Sequence, residues 1–342
     1  MPPMAPPGQD AASASDDRPS DDRPSDDRPS DDRPSDGRPP DGPEADALFT
    51  RLMDGPLRLA DPAGAAAPAC VGPWALGERI GQGGLSTVYA AIRPAPAGPE
   101  YVALKLAKRP GDETRALFAH EARLLRRLRA PGVVRVVDAG AHDDGRPYLA
   151  LELVEGQRLS AFARGLSAWE RLLLLWRVCR TVEGLHAEDV VHGDLKPDHL
   201  LVRGDGRVAV LDLGLARDLR QPEAPTEARR LGLTPEYAAP EQILGGPVGP
   251  PADVYALGLV IREVLEGRRR HLPWAAGGDP DTALELDVDA RAPSGAPVGR
   301  YVGGVLRTAL QTDPDRRFAT AGALAQALDD ALDAVTDGTR LA

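Results

Sequence analysis

Apolar side chains recur along residues 75–155 in short runs separated by Gly, Pro and charged residues, a pattern typical of strands. The runs lie at Leu76–Ile80, Val88–Ile92, Val102–Leu106, Val133–Val137 and Tyr148–Val154. One helix interrupts them, from about Thr114 to Arg129, because its apolar residues return every three or four positions. The first part of the chain therefore predicts a small β-rich unit that contains one helix.

Helical patterns dominate from Leu159 onward, and short strands near Leu200 and at Val208–Leu211 break them. A β-rich segment followed by a helical segment predicts an α+β fold with a small lobe, a larger α-helical lobe and a cleft between them. A cleft of this kind is the expected place for a ligand site.

The first 46 residues contain a polar repeat. The unit Ser-Asp-Asp-Arg-Pro starts at Ser15, Ser20, Ser25 and Ser30, and a variant starts at Ser35. Units without apolar side chains bury too little surface to offset the entropy of ordering, so we predict a disordered acidic tail over residues 1–46. Two roles stay open for the repeat: a solvated spacer, or an array of regulatory phosphorylation sites.

The folded domain is expected to begin near Val71, with Trp74 and Leu76 as early apolar anchors, and we place the kinase-like part at residues 73–335. Residues 47–72 are predicted to be a linker, rich in Pro, Gly and Ala towards its end, with apolar spacing that fits a short helix near its start. Residues 336–342 are predicted to be a C-terminal tail.

Composition and charge exclude several classes of protein. The net charge is −11, but residues 1–46 hold 13 acidic and 5 basic side chains, so the remainder is nearly neutral and gives no support for nucleic-acid binding. Two distant cysteines form no disulfide framework, which favours a reducing compartment. The chain has no apolar run long enough to span a bilayer and no signal-peptide pattern at its N-terminus. We expect a soluble cytoplasmic protein without membrane or nucleic-acid partners.

A glycine-rich turn joins the first two predicted strands, with the sequence Gly81-Gln82-Gly83-Gly84-Leu85-Ser86-Thr87-Val88. Glycine lets backbone N–H groups approach phosphate oxygens because no Cβ stands in the way. A strand rather than a helix follows, which excludes a dinucleotide-binding βαβ fingerprint, and the Gly-Lys-Ser/Thr ending of a P-loop is missing.

Lysine is rare in this chain, with only Lys105, Lys108 and Lys196 against 38 arginines. A compact ammonium binds phosphate oxygens as a point charge, which the broad guanidinium fork does not replace. Lys105 ends the strand-like segment Val102-Ala103-Leu104-Lys105, and it needs a carboxylate to hold it. Glu121, in the middle of the predicted helix and beside apolar residues, is the candidate.

Further motifs follow in a fixed order: Leu151-Glu152-Leu153-Val154, His192-Gly193-Asp194-Leu195-Lys196-Pro197, Asp212-Leu213-Gly214 and Ala239-Pro240-Glu241. Together with the glycine turn and Lys105, they resemble the bacterial eukaryotic-type (Hanks-type) serine/threonine protein kinases over roughly residues 74–335. The resemblance implies a bilobal protein kinase fold. It also implies ATP-dependent transfer of the γ-phosphoryl group to hydroxyls of protein substrates.

The resemblance implies a nucleotide site in the cleft. The Glu152 carbonyl and the Val154 amide would pair with the adenine edge, and the base would lie between Val88, Ala103 and Leu201. Lys105, held by Glu121, would bind the phosphates. The phosphate loop would comprise Ile80, Gly81, Gln82, Gly83, Gly84, Leu85, Ser86, Thr87 and Val88.

Catalytic and metal-binding roles also follow from the resemblance. Asp194 would accept the proton of the substrate hydroxyl, and Lys196 would stabilise charge on the transferred group. Asp212 would bind Mg²⁺, and His199 occupies the position of the second metal ligand. Asp198 beside them is a weak hint of a preference for basic substrates.

The resemblance also implies that Arg317 forms a buried ion pair with Glu241. Lys196, two residues after Asp194, together with Thr234 in Thr234-Pro235-Glu236-Tyr237, favours serine/threonine over tyrosine substrates by the same resemblance.

Gly193 departs from the family pattern, because many relatives have there an arginine that binds a phosphorylated activation loop. Without the guanidinium, a phosphate on this loop has no cationic side chain at this position to bind, and such a contact is what would order the loop. We therefore predict that activity does not depend on phosphorylation of the loop, for example at Thr226.

His199 departs further, because the family has a metal-binding asparagine at this position. Magnesium prefers oxygen ligands, whereas imidazole suits softer divalent metals. Three interpretations stay open: His199 is tolerated with water completing the Mg²⁺ shell, it shifts the preference towards Mn²⁺, or it marks a weakened enzyme.

Two function classes therefore remain. The first is an active serine/threonine protein kinase of bacterial signalling, which the presence of Lys105, Glu121, Asp194, Lys196 and Asp212 favours. The alternative is a catalytically weak pseudokinase that binds nucleotide and acts as a scaffold. Neither the protein substrate nor the oligomeric state can be read from the sequence.

Overall fold

The computed structural model describes residues 70–221, 232–268 and 298–336. The predicted acidic tail, most of the predicted linker, Thr226 and residues 337–342 lie outside the described residues. Within those residues the order of elements is a β-rich part with one long helix, followed by a mostly helical part. The predicted α+β fold with two lobes is confirmed.

The N-terminal lobe is built on a six-stranded antiparallel sheet in the order β1-β2-β3-β4-β6-β5. Its strands are β1 (Cys70–Val71), β2 (Trp74–Gln82), β3 (Ser86–Arg93), β4 (Glu100–Ala107), β5 (Val136–Ala141) and β6 (Pro147–Glu152). Strand β1 lies inside the segment predicted as linker, and its two residues pair with the start of β2.

Alternation along β4 explains why the sheet separates a structural face from a functional one. Val102, Leu104 and Leu106 pack on one face in a cluster that includes Trp74 and Tyr148. Because successive side chains of a strand point to opposite faces, Ala103, Lys105 and Ala107 turn to the other side. Helix α1 (Asp112–Arg127) packs against that side of the sheet, so Lys105 is directed into the interior of the protein.

The helix and two strands differ slightly from their predicted bounds. Helix α1 ends at Arg127, two residues earlier than predicted, and Leu128 is already extended. Pro131 follows closely, and helices usually end at or before the residue that precedes a proline. Val133 forms an isolated parallel bridge with Val210, and strand β5 begins three residues later than predicted. Strand β6 stops at Glu152, where the chain leaves the sheet for the second lobe.

The C-terminal lobe is mainly helical. Its helices are α2 (Leu159–Ala163), α3 (Ala168–His186), α4 (Pro240–Leu244), α5 (Pro250–Glu266), α6 (Val298–Ala309) and α7 (Ala321–Thr336). Ser167 and Glu170 close a capping box at the start of α3, which satisfies backbone donors that have no partner within the helix. Apolar residues of α3, α5 and α7 form the core of this lobe.

Short strands and 3₁₀ turns complete the described part of this lobe. The strands are β7 (Gly156–Arg158), β8 (Val190–Val191), β9 (Leu200–Arg203), β10 (Val208–Val210) and β11 (Arg217–Asp218), and the turns are Pro197–His199 and Pro314–Arg316. Strands β7, β9 and β10 form one antiparallel sheet and β8 pairs with β11. No helix in the described residues is long and apolar enough to cross a membrane.

Candidate active site

A cavity of about 550 Å³ lies between the two lobes and collects most of the residues that the sequence singled out. Those lining it are Ile80, Gly81, Gln82, Gly83, Ser86, Val88, Ala103, Lys105, Glu121, Glu152, Val154, Lys196, His199, Leu201 and Asp212. Gly84, Leu85 and Thr87 are not among the lining residues. Asp194 lies directly behind the lining, where its carboxylate contacts Lys196.

The glycine-rich turn is a hairpin between β2 and β3. Gly81 pairs with Val88 across the two strands, and the Gly83 amide donates to the Ser86 carbonyl at 2.9 Å. A Cβ at Gly84 would meet no atom within 4 Å. Leu85 at the tip is 44% exposed, and Gly81–Gly83 and Ser86 of the hairpin line the cavity.

Lys105 is held by carboxylates from two separate parts of the chain. Its Nζ donates to Oε1 and Oε2 of Glu121 at 2.9 and 2.7 Å, and to Oδ1 of Asp212 at 2.7 Å. Burial by itself lowers the pKa of Lys105, but Asp212 and Glu121 outweigh it and keep that pKa above its usual value. The ammonium is therefore charged and fixed at the back of the cavity.

Asp212 adopts a backbone conformation that is unusual for a residue with a side chain. Its φ is +62°, a region that costs a non-glycine residue about 1–2 kcal/mol. The carboxylate accepts from Lys105 and from the Gly214 amide, the latter at 3.3 Å, and these bonds hold the conformation. Burial alone raises the pKa of Asp212, but the Lys105 ammonium outweighs it and keeps that pKa well below its usual range.

Asp194 has both carboxylate oxygens occupied by groups of the loops around it. Oδ1 accepts from the Thr234 amide at 2.9 Å, and Oδ2 accepts from Lys196 Nζ at 3.0 Å. Lys196 also donates to the Thr234 hydroxyl at 2.6 Å. The three residues form one cluster, which places the Thr234 hydroxyl beside the carboxylate and the ammonium.

The loop that carries Asp194 is fastened to helix α5. Asp253, buried on that helix, accepts from the His192 and Gly193 amides at 2.7 and 2.9 Å and pairs with His186 at 3.0 Å. Burial alone raises the pKa of Asp253, but these donors keep it below its usual value.

His199 bridges the loop and Asp212. Its Nδ1 lies 2.8 Å from the Asp194 carbonyl, which can only accept, so Nδ1 carries the proton and Nε2 is the acceptor. Nε2 lies 3.7 Å from Asp212 Oδ2. Burial lowers the pKa of His199 to about 4, and its ring is neutral at physiological pH.

These two side chains fit a divalent metal by the chemistry of their donor atoms. Asp212 Oδ1 is taken by Lys105 and Gly214, whereas Oδ2 faces the unprotonated Nε2 of His199. The pair thus offers one carboxylate oxygen and one imidazole nitrogen. A mixed set of this kind accepts Mg²⁺ or Mn²⁺ less selectively than an all-oxygen set.

Glu152, where the chain leaves strand β6, has a carboxylate that ties the two lobes together. Oε1 accepts from Arg203 Nη2 at 2.9 Å, and Oε2 accepts from Arg135 Nε at 3.3 Å. Burial alone raises the pKa of Glu152, but the two arginines outweigh it and lower that pKa.

The sequence did not single out two residues that contact this region, Arg158 and Gln242. Gln242 donates to the carbonyl of Gly193, next to Asp194. Arg158 lines the cavity mouth and its Nη1 lies 2.8 Å from Asp198 Oδ1. The Asp198 carboxylate, a weak hint of a basic substrate, is therefore already paired within the chain. Neither residue stands out by spacing or composition, because its partner comes from a distant segment.

Comparisons with known proteins identify the family of this chain. Residues 74–328 match the protein kinase domain family. Serine/threonine-protein kinase Pkn1 of Myxococcus xanthus is 35% identical over 279 residues, which cover 76% of this chain and 38% of Pkn1. Serine/threonine-protein kinase PknA of Mycobacterium tuberculosis (strain H37Rv) is 30% identical over 79% of this chain and 62% of PknA. The chain thus spans less than two thirds of the length of these relatives.

Solved structures show the same fold. The crystal structure of the Mycobacterium tuberculosis PknI kinase domain has a TM-score of 0.56 and 24% identity, and the match covers 78% of this chain and 100% of that domain. The family match over 74–328 and the similarity to Pkn1 and PknA show that the chain belongs to the bacterial Hanks-type serine/threonine protein kinase family.

Proposed function

We propose that this chain is an ATP-dependent serine/threonine protein kinase. The observation that carries the proposal is Lys105, whose ammonium is held by Glu121 from helix α1 and by Asp212 from the second lobe. Such a fixed cation at the back of a cleft is the arrangement that phosphoryl transfer requires, because catalysis there rests on positioning and on charge stabilisation.

The cavity suits ATP, which family membership implies together with a divalent metal. Val88, Ala103 and Leu201 provide apolar side chains for the adenine ring, and the Glu152 carbonyl and Val154 amide would pair with its edge. The hairpin of Ile80–Val88 would cover the phosphates with its backbone N–H groups. Gly84, Leu85 and Thr87 would act through the backbone, since none of them lines the cavity.

Asp194 and Lys196 are proposed to carry the transfer. The oxygen of the substrate hydroxyl would bond to the γ-phosphorus while the bond from that phosphorus to the β–γ bridging oxygen breaks. The hydroxyl proton would pass to Asp194, and ADP would leave. Lys196 would offset negative charge on the transferred group.

Asp212 and His199 would hold the divalent metal, which would supply positive charge to offset the negative charge that develops during transfer. His199 would bind through Nε2, because Nδ1 already donates to the Asp194 carbonyl. Since this nitrogen stands where the family has an oxygen ligand, we propose that Mn²⁺ supports activity at least as well as Mg²⁺.

Family membership implies protein substrates, and we propose serine and threonine hydroxyls on the basis of Lys196 and Thr234, whose side chains meet at 2.6 Å. We further propose that the protein acts in the cytoplasm and that its kinase domain occupies residues 73–335. Gly193 in place of arginine supports activity without phosphorylation of Thr226.

The test is transfer of labelled phosphate from ATP to a generic protein substrate and to the protein itself, with Mg²⁺ and with Mn²⁺. We expect transfer that the Asp194→Ala variant abolishes. Nucleotide binding without transfer, with either metal, would instead favour the alternative of a catalytically weak scaffold, which His199 at the metal position supports.

A further inference from the structure

Gln242, in the first turn of helix α4, joins two segments that are 49 residues apart in the chain. Its Oε1 accepts from the Ala239 amide at 2.9 Å, and its Nε2 donates to the Gly193 carbonyl at 2.7 Å. The residue is only 9% exposed. Both polar ends of this buried amide therefore have a partner, and losing either hydrogen bond would leave a buried polar atom unsatisfied.

The carbonyl that Gln242 binds belongs to the peptide group between Gly193 and Asp194. Because a peptide group is planar, fixing its oxygen also sets the direction of the Asp194 N–H. That N–H lies 3.2 Å from His192 Nδ1, so the plane is held at both ends. Gln242 therefore acts on the backbone that immediately precedes the Asp194 side chain.

Gly193 needs such external support. Its φ is +74°, and a Cβ there would lie 3.1 Å from the Leu215 carbonyl oxygen. Glycine has no side chain to restrict its backbone, so its own conformational preference does not hold this geometry. Asp253 fixes the amide on one side of Gly193, and Gln242 fixes the carbonyl on the other.

Helix α4 in turn is anchored in the second lobe. Glu241, the neighbour of Gln242, accepts two hydrogen bonds from Arg317, both at 2.8 Å. The chain from Arg317 through Glu241 and Gln242 to Gly193 thus links the core of the lobe to the loop that carries Asp194.

We infer that Gln242 is a positioning residue for Asp194, which it orients through the Gly193–Asp194 peptide group. The inference rests on the proposed kinase function. Through its two hydrogen bonds, the neutral Gln242 amide links the position of Ala239–Glu241 to the orientation of the Asp194 carboxylate, which would accept the substrate proton.

Two variants separate the two hydrogen bonds of Gln242. Gln242→Glu keeps an acceptor for the Ala239 amide but replaces the donor to Gly193 with a carboxylate oxygen, and Gln242→Leu removes both. Gln326→Glu is the matched control, because Gln326 lies exposed on α7, where its Nε2 donates to Asp330 Oδ1 at 3.0 Å. For each protein kcat, KM for ATP, nucleotide Kd and the unfolding midpoint are measured.

We expect kcat of Gln242→Glu to fall about tenfold to hundredfold, the rate equivalent of one lost bond to a buried carbonyl. KM for ATP and nucleotide Kd should change by less than about twofold, because the cavity does not include Gln242. The control should match the wild-type protein in every quantity.

Three results would overturn the inference. If the wild type is active and the Gln242→Glu variant has the same kcat, the inference is overturned while the proposed kinase function stands. A variant that loses nucleotide affinity and thermal stability together with kcat would show that Gln242 only supports the fold. A wild type that transfers no phosphate with Mg²⁺ or Mn²⁺ would reject the proposed function and the inference with it.

Discussion

Arg317 and Glu241 form a two-pronged ion pair, with Nη1 and Nη2 of the guanidinium each 2.8 Å from one carboxylate oxygen. The Arg317 side chain is fully shielded from solvent and that of Glu241 is 10% exposed. Arg317 also donates to the carbonyls of Gln311, Thr312 and Pro251. The pair that the sequence predicted is thus the centre of a buried network that fastens helix α4 to the second lobe.

Arg317→Met should lower the free energy of unfolding by about 3–5 kcal/mol, because it leaves the Glu241 carboxylate buried without its partner. Urea denaturation measures the change. Arg207→Met is the matched control, since the Arg207 side chain is 82% exposed in its pair with Asp205 and should cost less than about 1 kcal/mol. Equal effects of the two variants would contradict the assignment of Arg317 as a structural tie.

Lys105→Arg should reduce phosphate transfer at least about a hundredfold, because the guanidinium cannot replace the compact ammonium between Glu121 and Asp212. Steady-state assays with saturating ATP measure this effect. Lys108→Arg provides the control, since Lys108 is three residues further along and exposed. Transfer by Lys105→Arg at the rate of the control would argue against a phosphate-binding role.

Arg158→Ala should increase transfer to arginine-containing peptides relative to neutral peptides by about twofold to fivefold. The change frees the Asp198 carboxylate at the cavity mouth from an exposed ion pair of modest strength. Initial rates on two peptides that differ in one arginine measure the ratio. An unchanged ratio would mean that Asp198 lies away from the bound substrate.

The two thiols should differ in reactivity. Cys70 is exposed, whereas Cys179 is fully buried, and burial raises the pKa of the Cys179 thiol. A raised pKa leaves less thiolate at any given pH, and the thiolate is the reactive form. At pH 8 a thiol reagent should therefore modify about one cysteine per folded chain and about two in denaturant. Rapid modification of Cys179 in the native protein would contradict the packing of helix α3.

The contact between Lys105 and Glu121 shows how far sequence reasoning reached into the site. Glu121 was singled out because its helix neighbours are apolar, which indicated an inward position, and the structure places its carboxylate 2.7 Å from Lys105. The second carboxylate on Lys105, that of Asp212, was not foreseen as its partner. These two residues are 107 positions apart, and only the closure of the two lobes brings them together.

Residues whose role depends on a single long-range bond were missed altogether. Gln242 and Arg158 have ordinary surroundings in the sequence, and nothing in their spacing points to Gly193 or Asp198. Asp198 stands out in the sequence by its charge, but nothing there indicates that its carboxylate pairs with Arg158. Whether such a hydrogen bond forms depends on where the two residues lie in the folded protein, and the order of residues along the chain does not show this.

Local patterns in the chain were sufficient to predict five of the six strands of the first sheet with its helix, the two-lobed α+β fold and the kinase family. Strand and helix periodicity reflects the alternation of side chains within one element, and the motifs are short stretches of adjacent residues. The fold decided the rest: which carboxylates surround Lys105, which nitrogen of His199 faces Asp212, and which groups hold the peptide before Asp194. Those arrangements arise because packing brings distant segments within hydrogen-bond distance. In the buried interior a polar group without a partner is costly, so each of these hydrogen bonds stabilises one arrangement over the others.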